Sequence, residues 1–246
     1  MNSTDTSRPI AFARADTGEE TARADLYGLL AVLYAAPPPA ALLETLAGAA
    51  GTESIGVLGA AWQAVTDAAR AALAEGAAAG EEKIREEYER LFIGVGKPEV
   101  LLYGSFYLSG FLMEKPLAAL RTDLMRLGLE RAENVVESED HIASLCEVMR
   151  YLIAGDETAD GTAADAANNA AGADADGARR DAPPLSDAAR LARQKTFFAT
   201  HLQPWAGDMC AVLMAHRHAV FYRPLAHLTQ LFFEVEAEAF DIGVTA

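Results

Sequence analysis

A chain of 246 residues with 51% hydrophobic content can fill one sizeable core, which excludes a disordered or fibrous protein. Its formal net charge of -16 excludes a surface built to follow nucleic-acid phosphates, because such a surface needs clustered Lys and Arg. The same charge favours a cationic peptide or basic protein segment as partner.

The opening stretch "MNSTDTSRPIAFARADTGEE" has no apolar core of secretory length, and its one short apolar run is bounded by arginine. No later segment approaches the roughly 18 apolar residues of a membrane span. The expectation is a cytoplasmic protein without stable membrane insertion. Residues 1–18 read as a flexible arm. From Glu19, Leu26, Leu29, Leu30 and Leu33 recur at helical spacing until Pro37, Pro38 and Pro39 stop the helix. "PAALLETLAGAA" predicts a second helix, and "GAAWQAVTDAARAALAEGAAAG" a third that ends in glycine. "EEKIREEYERLFIG" predicts a fourth, with Ile84, Tyr88, Leu91 and Phe92 on one stripe.

Glycines and a proline make residues 94–110 an irregular connection, with a short helix at its end. Its "GVGKP" lacks the spacing and the hydroxyl of a phosphate loop, so a turn with Lys97 in solvent is expected. Pro116 suits the first turn of the next helix, and Gly128 suits its C-terminal cap. Then comes "VESEDHIASLCEVMRYL", where Ile142, Leu145, Cys146, Met149, Leu152 and Ile153 form an apolar stripe. Asp140, Ser144, Glu147 and Tyr151 fall on the opposite, outward side, and Ser138 reads as the N-cap. His141 lies at the edge of the stripe, placed to pair with a carboxylate, sense pH or bind a ligand.

Residues 155–182 are rich in Ala, Asp and Gly without an apolar stripe, and are expected to be a mobile linker. Their "DADG" lacks the further oxygen ligands of a calcium loop. Two or three helices rich in Phe, Leu and Trp close the chain. The predicted fold is all-α, a single helical-bundle domain over residues 19–246 with a long flexible loop before its C-terminal helices.

Catalytic signals are weak. Asp140 and His141 diverge by about 100° on a helix, and there is no G-x-S-x-G or H-E-x-x-H motif. His216 and His218 are expected to point to opposite sides of a helix, and Cys146 and Cys210 to be buried free thiols. No enzyme activity, metal or cofactor is therefore expected. Two rival readings are a small-ligand or nucleotide-binding regulator and an all-α hydrolase using Asp140 and His141. Most aromatic residues around the irregular connection and on the last helices are expected in the core, while an apolar groove between helices rimmed by carboxylates would suit a basic-then-apolar peptide.

"YERLFIGVGKPEVLLYGSFYLSG" followed by "ESEDHIASLCEVMRYL" resembles the TorD/DmsD family of redox-enzyme maturation chaperones. That family carries Y-x-x-L-F, then P-Y-E-S-x-Y, then E-P-x-D-H-I before an apolar helix. Tyr88, Leu91 and Phe92 match the first motif. Tyr103, Ser105 and Tyr107 match the second, and Glu137, Asp140, His141 and Ile142 the third. Leu102 and Gly104 stand where the second motif has proline and glutamate, and Ser138 where the third has proline. The resemblance implies a chaperone that binds the twin-arginine signal peptide of a molybdenum-cofactor enzyme, of the formate dehydrogenase or DMSO/TMAO-reductase type, before export. It implies peptide recognition through Asp140, His141, Glu137, Tyr103, Ser105, Tyr107 and Phe92. Weak GTP binding and domain-swapped dimers are traits of some family members; the linker over residues 155–182 falls where a swap hinge would lie, so a monomer or a domain-swapped dimer is expected.

Overall fold

The computed structural model describes residues 17–49, 56–94, 97–131, 137–154 and 185–242. Ten α-helices occupy them: α1 (Thr17–Ala35), α2 (Ala40–Gly48), α3 (Gly59–Ala72), α4 (Ala77–Tyr88), α5 (Gly104–Ser109), α6 (Lys115–Leu127), α7 (Ile142–Ala154), α8 (Asp187–His201), α9 (Gln203–Ala215) and α10 (Tyr222–Ile242). Among the described residues there is no strand, only an isolated bridge, and the fold is all-α. Of the arm expected over residues 1–18, Thr17 and Gly18 belong to α1 instead; its remainder and the linker expected over 155–182, with its swap hinge and "DADG", lie outside the described residues.

Most boundaries follow the local signals. Pro37–Pro39 separate α1 from α2, and Pro39 itself precedes α2 in extended geometry. Gly128 ends α6 at φ 73°, and its N–H and that of Leu129 bond back to Met125 and Leu124 in a Schellman arrangement. One boundary differs from expectation. The third predicted helix breaks at Gly76, whose φ of 105° favours glycine, so α4 begins at Ala77 rather than at Glu81. A π turn over Glu89–Ile93 then ends the fourth helical segment and leaves Leu91 and Phe92 buried.

The core sits where α1 packs along α7 and α10 packs against α9 and α3, with α8 bridging α7 and α9. Tyr27, Leu30, Leu33 and Tyr34 are fully buried there, together with Trp205, Phe198 and Tyr222. The α1 stripe is rotated from expectation: Leu26 and Leu29 are only partly buried. Long-range polar contacts tie distant segments. The Glu87 carboxylate accepts hydrogen bonds from the N–H groups of Val220, Phe221 and Tyr222 at 2.8–3.1 Å, capping α10 from α4. Arg23 donates two bonds to Glu236, at 2.6 and 2.8 Å, and joins the start of α1 to the far half of α10. Such a desolvated pair adds little net stability, but breaking it strands a charge.

Candidate functional site

The second and third motifs meet. Tyr103 and His141 form an antiparallel bridge in which Gly104 donates to the Asp140 carbonyl at 2.9 Å and Ile142 donates to the Leu102 carbonyl at 2.8 Å. This joint holds the start of α5 against the start of α7. Asp140 was expected to face outward from a helix, yet it is only 4% exposed and precedes α7. Its Oδ2 accepts the N–H of Ser105 at 2.8 Å, and its Oδ1 accepts the Ser138 hydroxyl. Asp140 therefore supplies from a distance the capping acceptor that α5 lacks in its own Tyr103.

His141 is likewise buried, and its Nδ1 accepts the N–H of Ala143 at 3.1 Å. It takes the capping place at the head of α7 that Ser138 was expected to fill. Burial pushes its pKa down to about 4, against the opposing pull of the Glu137 and Asp140 carboxylates. The imidazole is neutral at pH 7, as an acceptor at Nδ1 must be. Tyr103 lies edge to face against His141 and donates its hydroxyl to Glu137; burial and that carboxylate raise the phenol pKa. Asp140 and His141 bond to different partners and not to each other, so they do not form the acid/base pair of the hydrolase reading.

The remaining expected site residues lie apart. Tyr107 donates to the Leu101 carbonyl at 2.9 Å and stacks on Trp205 at 5.6 Å. Phe92 packs edge-on against Tyr88 and Tyr222, only 8% exposed. Gly104 is explained by closeness: a Cβ there would sit 2.8 Å from Trp205 Nε1, so the glutamate of the family motif has no room. The cavity touching Ser105 and Asp140 is about 90 Å³, space for a few waters at about 30 Å³ each rather than for a peptide.

What the joint does present is the end of α5 and the loop between α5 and α6. Leu108 on α5 and Phe111, Leu112 and Met113 in the loop are exposed by 43%, 69%, 45% and 78%. The hydroxyl of Ser105 accepts the Met113 N–H at 3.2 Å, and that of Ser109 donates to the Phe111 carbonyl at 3.2 Å. Met113 is held at φ 59°, the one described non-glycine residue at positive φ. Motif residues Asp140 and Ser105 thus fix a run of exposed apolar side chains that residue-type spacing did not flag. A second concavity of about 360 Å³ between α1, α6 and α7 has carboxylates, but Glu139 there is matched by Arg121 and Arg131, and Glu147 by Arg150.

Other candidate groups have structural roles. His216 and His218 lie in the turn after α9, not on opposite helix faces; their rings are 5.8 Å apart, with His216 on Glu99 and His218 beside Arg90. Among the described residues no three His, Cys, Asp or Glu side chains gather as a metal site. Cys146 and Cys210 are buried free thiols, and burial pushes the Cys210 pKa up to about 12. Gly94 makes a turn at φ 65° in which a Cβ would strike the Lys97 carbonyl, and Lys97 is exposed. No described helix is long and apolar enough to cross a membrane.

No curated protein matches the chain. The family model described as "Nitrate reductase delta subunit" matches residues 57–211, a span that includes α3 to α7 and both halves of the Asp140–Ser105 joint. That span is more than half of the sequence, and the chain belongs to this family of redox-enzyme maturation chaperones, which serve molybdenum enzymes.

Proposed function

We propose that the protein binds the twin-arginine leader of a molybdoenzyme precursor and holds it through the apolar loop between α5 and α6 until the cofactor is in place. The observation that carries this reading is the loop itself, where Phe111, Leu112 and Met113 are exposed beside Leu108 of α5 and the backbone is fixed by Ser105 and Ser109. Contiguous exposed apolar surface of this kind marks an interaction site. A leader offers an apolar segment to cover it and arginines that form charge-assisted bonds with carboxylates. Glu114, at the end of the loop, and Asp208, close to Tyr107, are exposed acids able to receive them. In this reading Asp140, His141, Glu137 and Tyr103 position the loop and do not touch the peptide.

The test is a fluorescence anisotropy titration with a synthetic leader that carries two adjacent arginines followed by an apolar stretch. The full chain should bind it saturably. Phe111→Asp combined with Met113→Asp should weaken binding by at least about tenfold, since burying even one such side chain is worth ~1.5–3 kcal/mol. Helix content should not change, because both residues are exposed. Equal affinity in the two proteins would overturn the reading.

A further inference from the structure

A larger concavity lies away from this loop. A groove of about 700 Å³ runs between α1 and α10 beside the first turn of α3, and is lined by apolar groups including Leu26, Leu29, Val57, Trp62, Leu228 and Phe232. Leu26 and Leu29 are half-buried because they form its wall instead of entering the core. Inside the groove Arg23 and Glu236 neutralise each other, while Glu19 and Asp25 stand exposed along α1. The buried indole Nε1 of Trp62 has no hydrogen-bond acceptor among the described residues. A groove of this shape, apolar along its bed and with two exposed carboxylates on α1, fits a short peptide segment that is apolar in the middle and cationic at its ends.

The chain carries such a segment in the sequence that precedes α1. Residues 8–14 read "RPIAFAR", with Ile10 and Phe12 between Arg8 and Arg14, and they precede α1, which begins at Thr17. Extended chain from Phe12 to Thr17 reaches up to about 17 Å. The α1 wall from Glu19 to Leu29 is about 15 Å long at helical rise. A reversal before α1 therefore lets the segment cover the groove. The linker sequence 155–182 has no aromatic residue or apolar run to offer in its place.

We propose that residues 8–14 dock in the groove between α1 and α10, with Ile10 and Phe12 on its apolar bed and Arg8 and Arg14 facing Glu19 and Asp25. Covering the groove removes an apolar surface that would otherwise compete with the α5–α6 loop for hydrophobic partners.

Two tryptophans make the test direct: Trp205 is only 1% exposed, and Trp62 lines the groove. Acrylamide quenching is measured on the full chain and on Ile10→Asp/Phe12→Asp, with Trp62→Phe supplying the constant Trp205 signal. The expected result is a several-fold rise in Trp62 quenching in the double variant at unchanged helix content. In parallel, Phe12→Cys/Val57→Cys is oxidised, the buried Cys146 and Cys210 staying out of the exchange. A disulfide within one chain is expected. Unchanged quenching overturns the proposal, as does a disulfide that forms only between chains, which would make a second copy the occupant.

Discussion

Tyr103 and His141 face each other across the one isolated bridge among the described residues, their rings 5.0 Å apart edge to face. The bridge couples two helix starts that are far apart in sequence. On one side Asp140 caps α5, and on the other His141 caps α7. The acid and the histidine that looked like chemistry fasten the starts of α5 and α7 and, through Ser105, the loop after α5.

Asp140→Ala removes the acceptor of a buried N–H at Ser105 and of the Ser138 hydroxyl. The expected cost is about 1–3 kcal/mol in urea denaturation. Amide exchange should quicken from Ser105 to Met113, and leader binding should weaken with it. Asp140→Asn keeps one acceptor and should lose less. If exchange in that stretch stays at its original rate in Asp140→Ala, the capping role is wrong.

His141 gives a pH signature. Its pKa is about 4 in the folded protein against 6.5 in the unfolded chain. Between these values the unfolded state binds more protons, so stability falls as pH drops from 6.5 towards 4, and above 6.5 this group has no further effect. The whole span corresponds to on the order of 3 kcal/mol. His141→Asn keeps a capping oxygen without a titrating ring, and its stability should fall less steeply over that window. Parallel pH profiles for the two proteins would refute the assignment.

Restoring the family's glutamate should do harm. Even Gly104→Ala places a Cβ 2.8 Å from Trp205 Nε1, whose hydrogen bond to the His201 carbonyl fixes the ring. Overpacking of this kind costs about 1–3 kcal/mol, and Gly104→Glu should cost more. Thermal unfolding with tryptophan emission reads both effects; an unperturbed Gly104→Glu would contradict the packing.

The Arg23–Glu236 pair makes the α1–α10 contact sensitive to single substitutions. Glu236→Ala leaves the Arg23 guanidinium without its carboxylate and the Tyr27 hydroxyl without its acceptor. A loss of about 3–5 kcal/mol is expected by denaturant titration. A loss below 1 kcal/mol would mean that water reaches the pair and shares the charge.

Met113 separates stability from binding. Glycine at φ 59° relieves about 1–2 kcal/mol of backbone strain, partly offset by its greater freedom in the unfolded chain. Met113→Gly should therefore be at least as stable as the parent while binding the leader more weakly. Retained affinity would remove Met113 from the docking surface.

The sequence alone determined the helices and much of the core, because those features are local. Apolar spacing marked Leu30, Leu33, Ile84 and the stripe from Ile142 to Ile153, while Pro37–Pro39, Pro116 and Gly128 marked boundaries through backbone geometry that each residue carries with it. Motif order also indicated the family, though not how the motif residues are held in place. That was decided only by tertiary structure, because capping at a distance depends on which segments meet. Asp140 is an outward acid on a helical wheel and becomes a buried acceptor once α5 comes to rest against it. Gly104 looks like a lost carboxylate until Trp205 fills the space a side chain would need. Leu26 and Leu29 read as core by spacing and became the wall of a groove, since α10 covers only part of the face that α1 presents.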